Sequence, residues 1–404
     1  LLLQIKKFKT WNRLPFFHDF SFFKKSHFSG IVLFFSNTHF YVINKNFILK
    51  KIIMKKFFLS SVVIAFLFAA LPAHAKIWRI NNNPGVTADF TSLTLATASA
   101  SVINGDTIYL ESSTTEYAAG TLTKRLVIVG LGYFLNPANA TTPGNAGLQA
   151  ATVESRLGYI TINNGANGSK FLGIASAGAQ INVSATPYNL VFEKVHFTGG
   201  LNFSNATHSN ITIRKSFFNN TGVQATAGNL SNFVVENCIF IGFGGYMSLQ
   251  SLTGTANIIR NNTFFSTYFS DVPNCYFANN IIESPSYDWV FTNTTVKNNL
   301  FAKASQVLPV TASANQLGVN MTNVFLLTGS FDARYQLKPL SPAIGAGLTV
   351  GAVVTPDCGA FGATDPYKLS GIPNIPSIYA LTVPISIPSG TATMNVTFST
   401  RNTN

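Results

Sequence analysis

Six stretches between Phe192 and Phe301 spell one short phrase: an apolar residue, a variable one, a pair dominated by Asn, another variable one, then a large apolar residue. They run Phe192 to Phe197, Ile213 to Phe218, Val235 to Phe240, Ile259 to Phe264, Phe277 to Ile282 and Val296 to Phe301. Their last residues are 21, 22, 24, 18 and 19 positions apart. A recurrence of that length marks a stacked repeat, because one such unit cannot bury its own apolar face and must lie on its neighbours.

Apolar residues two apart, as in Ile211/Ile213, Phe233/Val235 and Cys275/Phe277, share one face of a strand. The Asn pair then breaks the strand, since Asn tolerates the left-handed region and hydrogen-bonds locally. The closing Phe begins a second strand after the bend. Stacked at a strand spacing of roughly 4.8 Å, such units make an all-β parallel solenoid. Equivalent positions become ladders. The predicted inward ladder is Phe197, Phe218, Phe240, Phe264, Ile282 and Phe301. The predicted bend ladder is Lys194, Lys215, Asn237, Asn261, Asn279 and Asn298, followed by Val195, Ser216, Cys238, Asn262, Asn280 and Asn299. Stacked amides in such a ladder are expected to bond along the axis.

The formal charge of +13 suggests an acidic partner until it is divided along the chain. Residues 1–75 hold eleven Lys or Arg and only Asp19 as an acid, a net of +10; the rest carries sixteen basic and thirteen acidic side chains, a net of +3. The nucleic-acid reading fails on that division. Met54 is the first methionine, and Lys55-Lys56, an apolar run from Phe57 to Leu71, and Pro72-Ala73-His74-Ala75 follow it. That order predicts a secretory signal peptide over 54–75, cleaved after Ala75, with no membrane span left after cleavage. Residues 1–53 read as translated sequence upstream of the true start. Localisation is expected to be export: periplasm, outer surface or release. The three cysteines, Cys238, Cys275 and Cys358, have no metal-like spacing and read as small buried thiols.

After Ala75 the expected order is a strand within Lys76 to Asn83, one short helix within Asp89 to Ile103 capped at Asp89 or Thr91 and stopped at Asn104-Gly105, then strands at Asp106 to Leu110 and Leu126 to Val129. The helix is expected to cover the open end of the stack. Residues 134–155 look like an excursion, and strands resume at Tyr159 to Ile162 and Phe171 to Ile174. About ten coils fit between Asp106 and Leu337 at this period. The solenoid domain is set at 76–365, and 366–404, punctuated by Pro366, Pro373, Pro376, Pro384 and Pro388, is expected to be an extended tail with a last strand at Met394 to Ser399.

With Gly105-Asp106-Thr107-Ile108-Tyr109, Leu126 to Tyr133, the Asn-bearing coils, Ser341-Pro342-Ala343-Ile344-Gly345 and Asp357-Cys358-Gly359-Ala360-Phe361-Gly362, the chain resembles secreted bacterial right-handed parallel β-helix proteins of the pectin-lyase-like fold. The resemblance implies a right-handed coil. It leaves activity open, because that fold carries lyases, hydrolases, esterases and adhesins. Lyases of this kind need acids that hold calcium and an Arg or Lys base; the hydrolases need clustered aspartates.

Acids are sparse here. The best grouping is Asp271, Glu283 and Asp288, with Arg260 and Lys297 one coil to either side in outward slots; calcium enters only under the lyase alternative, and solvated loop charges are the plainer reading. No other metal or cofactor is implied. His196, in an outward slot, and His208, in a connection, read as surface residues without a nucleophile for a triad. Tyr246, Tyr268 and Tyr287 or Trp289 recur after successive phrases and form a candidate sugar-stacking row, with a buried aromatic stack as the competing reading. The favoured function is non-catalytic, a long polar face presented to a polysaccharide or surface component; a polysaccharide lyase or glycoside hydrolase is the alternative. Oligomeric state is left open.

Overall fold

The computed structural model describes residues 27–28, 31–35, 40–44 and 75–402, apart from 139–143, 182–188, 243–246 and 268–270. The expected signal segment lies outside the described residues but for Ala75. The chain divides into two compact units, 1–74 and 75–404. In the first, His27–Phe28, Ile31–Phe35 and Phe40–Asn44 make a three-stranded antiparallel sheet.

The second unit is a parallel β-solenoid with three faces. The first sheet has ten strands, from Ile77–Ile80 to Thr295–Lys297; the second has eight, from Arg156–Leu157 to Leu300–Phe301; the third has five, from Gly120–Leu122 to Val223–Gln224. The solenoid makes about eight turns, fewer than the ten expected. The excursion at 134–155 contains no strand among its described residues and takes up chain that an even period would assign to coils.

Left-handed backbone makes the bend between the first and second faces. Gly173, Lys194, Lys215, Asn237, Asn261, Asn279, Asn298 and Ala314 occupy equivalent places with φ between 50° and 62°. After each bend the Phe ladder stacks inside as expected. Phe197, Phe218, Phe240 and Phe264 have successive ring separations of 4.5, 4.3 and 5.0 Å and interplanar angles of 16°, 12° and 20°. Ile282 and Phe301 continue the register.

The two expected Asn ladders part company. The second runs inside: Cys238 N donates to Asn262 Oδ1 at 2.9 Å, Asn262 N to Asn280 Oδ1 at 2.9 Å, Asn280 N to Asn299 Oδ1 at 2.9 Å, and Asn299 N to Asn315 Oδ1 at 3.0 Å. Asn315 extends it by a rung that the six-phrase pattern did not include. The first ladder has one axial contact, Asn279 Nδ2 to Asn261 Oδ1 at 3.5 Å, and turns its amides to the closing segment instead. Asn298 donates to Ala346 O, Asn279 to Leu348 O, Asn261 to Asp357 O, and Asn237 to both Ala360 O and Gly362 O. Lys215 then pairs with Asp365, and Lys194 donates to Ile372 O and Asn374 Oδ1. The chain thus returns along the coil bends from the last rung toward the first. At Gly173, φ is 62° and an added Cβ would lie 2.2 Å from Pro373 Cγ, so only glycine admits both the bend and the strap.

The strap also seals the second face. Phe217, Ile239, Ile281 and Leu300 point out of the solenoid into a second apolar cluster with Tyr133, Phe134, Val324, Phe325, Tyr335, Cys358 and Tyr367. Asp332 is fully buried beneath it and accepts from Asn145 Nδ2 at 2.8 Å, Tyr367 OH at 3.1 Å and Ser370 N at 2.7 Å. Beyond the strap, Ser377–Thr382 and Thr397–Arg401 pair antiparallel, so the last strand lies a few residues later than expected.

The helix is Leu93–Ala98, shorter than the expected span, and its cap is Ser92, whose side chain accepts from Leu95 N. Leu93 and Ala96 join the apolar core with Val102 and Leu122. All three cysteines are free and buried, as their composition suggested.

Both histidine expectations are corrected. His196 points outward from its strand, but the covering segment places Phe134, Tyr133 and Phe217 against it at 4.6, 5.4 and 5.7 Å, and neither ring nitrogen has a hydrogen-bond partner among the described residues. His208 is buried beside Phe203 and bonds Ser204 O through Nε2. Burial, aided by the charge of Arg156, lowers the His196 pKa to about 3. The unfolded chain takes up this proton below its ordinary value of 6.5 while the folded chain does not, so the contribution is fully present above that pH and is lost as pH falls toward 3. At about 1.4 kcal/mol per pH unit, it should cost roughly 2 kcal/mol between pH 6.5 and pH 5. Urea unfolding of the parent and of His196→Leu at both pH values checks this; an unchanged pH slope in the variant would defeat the assignment.

Candidate functional site

The three outer faces differ in what they leave available. The second is covered. On the first, Glu193, Arg214, Glu236 and Arg260 stand in one register column, and Arg214 pairs with Glu193 at 2.8 Å and Arg260 with Glu236 at 2.9 Å. The guanidinium of Arg260 is therefore held by a carboxylate on the preceding rung. Lys297 stands two rungs on in the same column.

The acids expected to converge are each engaged locally. Glu283 accepts from Ser266 N and Oγ at 2.9 and 3.1 Å, Asp271 accepts from Thr292 Oγ1 at 3.1 Å, and Asp288 pairs with Lys303 at 2.7 Å. Among the described residues no three His, Cys, Asp or Glu side chains group to hold a metal ion. A cleft between Tyr109, Leu131, Gln149 and the root of the last strand pair at Ile375, Ile378 and Leu381 is lined by none of these side chains.

The aromatic row is redistributed as well. Tyr246 and Tyr268 lie outside the described residues. Trp289 is 1% exposed, and its ring packs 4.9 Å from Phe264 and 5.7 Å from Phe277; it belongs to the core and is no sugar platform. The alternation of a strand does not constrain it, because it sits in a connection between strands. Tyr287 is 44% exposed.

The third face carries the arrangement that remains. Its strands Ile160–Ile162, Ala179–Ile181, Leu201–Phe203 and Val223–Gln224 send Ile160, Ala179, Leu201 and Val223 inward and Thr161, Gln180, Asn202 and Gln224 outward in one column. Among the described residues, no hydrogen bond joins the strap to this column. In the neighbouring column Ile160 N donates to Gly178 O, Ala179 N to Gly200 O and Leu201 N to Gly222 O, so the positions aligned with Tyr159 on the following rungs are glycines. Tyr159 is 45% exposed and lies toward that side-chain-free strip. Its hydroxyl donates to Gln180 Oε1 at 3.5 Å and accepts from Asn202 Nδ2 at 3.3 Å, fixing the ring direction along the axis. An aromatic ring beside a row of amides and hydroxyls offers stacking to a pyranose ring and donors and acceptors to its hydroxyls.

The sequence contained this site without announcing it. Tyr159 lies before the first clear phrase, and the Gly178-Gly200-Gly222 alignment becomes visible only when rung lengths are known. Compared with models of known families, with curated proteins and with solved structures, the chain matches none.

Proposed function

We propose that this chain is an exported, non-catalytic solenoid of the right-handed, pectin-lyase-like kind that binds a polysaccharide along its third face. The observation that carries the reading is the exposed Tyr159 ring, held by Gln180 and Asn202 beside the glycines that follow it in register, Gly178, Gly200 and Gly222. A linear polymer laid along the axis meets the same kind of surface at each rung. The engagement of Asp271, Glu283, Asp288 and Arg260 by local partners supports a binding role over a lyase or hydrolase. Export has support of its own: Lys76 N lies 2.9 Å from Asp106 Oδ1, and cleavage after Ala75 would place a new α-ammonium group there, strengthening that bond.

Affinity electrophoresis through gels containing a panel of neutral and acidic polysaccharides tests the reading. The parent is expected to be retarded by at least one polymer, and Tyr159→Ala to lose about tenfold in affinity with unchanged thermal unfolding. Equal retardation of parent and variant would remove Tyr159 from the site. Release of unsaturated or reducing ends from a retained polymer would replace binding by catalysis.

A further inference from the structure

The third face also restricts the chemical class of polymer, granted the reading that this face binds polysaccharide. Stretches 157–169, 175–192, 197–213 and 216–235, within which the four strands from Ile160–Ile162 to Val223–Gln224 lie, contain no Asp, Glu, Lys or Arg. His208, the one titratable ring among them apart from tyrosine, is buried with its pKa lowered by that burial. The charges that bound these stretches in sequence, Arg156, Lys170, Glu193 and Lys194, Arg214 and Lys215, and Glu236, stand on strands of the first two faces or at the bends between them, and beside Tyr159 the charge present is an acid, Glu116, whose Oε1 would lie 3.0 Å from a Cβ added at Gly158. A uronic-acid or sulfated polymer would bring one or two charges per repeat to a surface without a counter-charge, losing water from each without compensation. An uncharged polymer loses nothing of that kind.

The rung spacing restricts its shape. Thr161, Gln180, Asn202 and Gln224 repeat once per strand, at roughly 4.8 Å. A chain of equatorially linked six-membered sugars stays flat and advances by about one ring per residue, so it keeps step with such a column. An axially linked α-1,4 chain coils away after a few units and does not. Amides suit the flat chain, since Gln180, Asn202 and Gln224 each supply both a donor and an acceptor to hydroxyls on the edge of a ring. We infer that the third face binds a neutral, extended β-1,4-linked glycan parallel to the solenoid axis, one sugar per rung, with Tyr159 under the sugar nearest the first rungs.

Gels containing hydroxyethyl cellulose, galactomannan or xylan, amylose, and polygalacturonate separate the outcomes when run with the full chain at low salt and at half-molar sodium chloride. The expected result is retardation by a β-1,4 polymer that is insensitive to salt, with none by polygalacturonate or amylose. In solution, cello- or manno-oligosaccharides should gain affinity up to about four units, the number of rungs from Tyr159 to Gln224, and little beyond. Gln224→Ala should weaken tetrasaccharide binding about fivefold while leaving the disaccharide unchanged. Salt-sensitive retention on polygalacturonate, or equal retention on amylose, would overturn the inference while leaving a glycan site in place. Retardation by none of the polymers would overturn the binding function itself.

Discussion

Asn280→Ala is expected to destabilise the solenoid by on the order of 4 kcal/mol, measured as a shift in urea unfolding free energy. Asn280 is fully buried, and its amide joins three rungs. Oδ1 accepts from Asn262 N at 2.9 Å and Asn262 Nδ2 at 3.1 Å, while Nδ2 donates to Ile259 O at 3.0 Å and Asn299 Oδ1 at 3.0 Å. Alanine removes all four bonds and leaves the Asn262 N–H buried without its acceptor. Each orphaned buried group costs about 1–3 kcal/mol, far more than the net value of a satisfied bond. Position along the ladder provides the control. Ser216→Ala removes one ladder acceptor, for Val195 N at 3.1 Å, together with the hydroxyl's bond to Arg214 O at 3.0 Å, and should cost about 2 kcal/mol. Equal losses for Asn280→Ala and Ser216→Ala would show that the inner ladder is not continuous.

Phe240→Ala should cost about 3–5 kcal/mol, because it removes a ring held between two others in a close-packed core. Phe218 lies 4.3 Å and Phe264 5.0 Å from its ring centre, and neither can move into the space without leaving its own rung. Phe240→Leu retains most of the apolar volume and should cost well under half as much. Thermal unfolding gives the magnitude, and amide exchange gives the location: protection should fall first at Phe217–Asn219 and Thr263–Phe265, the strands on either side. A loss below about 1 kcal/mol, or exchange confined to Phe240's own rung, would mean that the rings do not stack as one column.

These two sites were legible in the residues themselves. Phe240 and Asn280 occupy fixed places in a phrase repeated six times, and a repeat of that kind determines what lies above and below each residue. Lys194 and Asn237 were placed in the bend by the same count, but their partners were not visible. Those partners, Ile372 and Asn374 for one and Ala360 and Gly362 for the other, lie more than a hundred residues away in a segment with no period. His196 shows the consequence most clearly. Alternation correctly turned it out of the solenoid, and the returning chain then made the outside an interior.

The candidate site was less legible than the fold. Tyr287 and Trp289 were equivalent by spacing, yet one is 44% exposed and the other 1%. Both stand in a connection, where side-chain direction follows the path of the loop and no strand alternation applies. Tyr159 had the opposite history: it lies in a rung that lacks the Asn phrase, and its partners Gln180 and Asn202 are drawn from two later rungs.

By itself the sequence determined that the chain coils, which residues face the axis, and where the left-handed bends fall, because period, apolar alternation and Asn backbone preference are local properties repeated in register. Tertiary structure alone decided which outer face stays open. That outcome depends on where the aperiodic closing segment lies down, and it lies on the bends and the second face because the outward Phe217, Ile239, Ile281 and Leu300 need cover and the amides of Asn237, Asn261, Asn279 and Asn298 find its carbonyls. The uncharged third face, with no apolar outward column, gave that segment nothing to bury and was left to solvent.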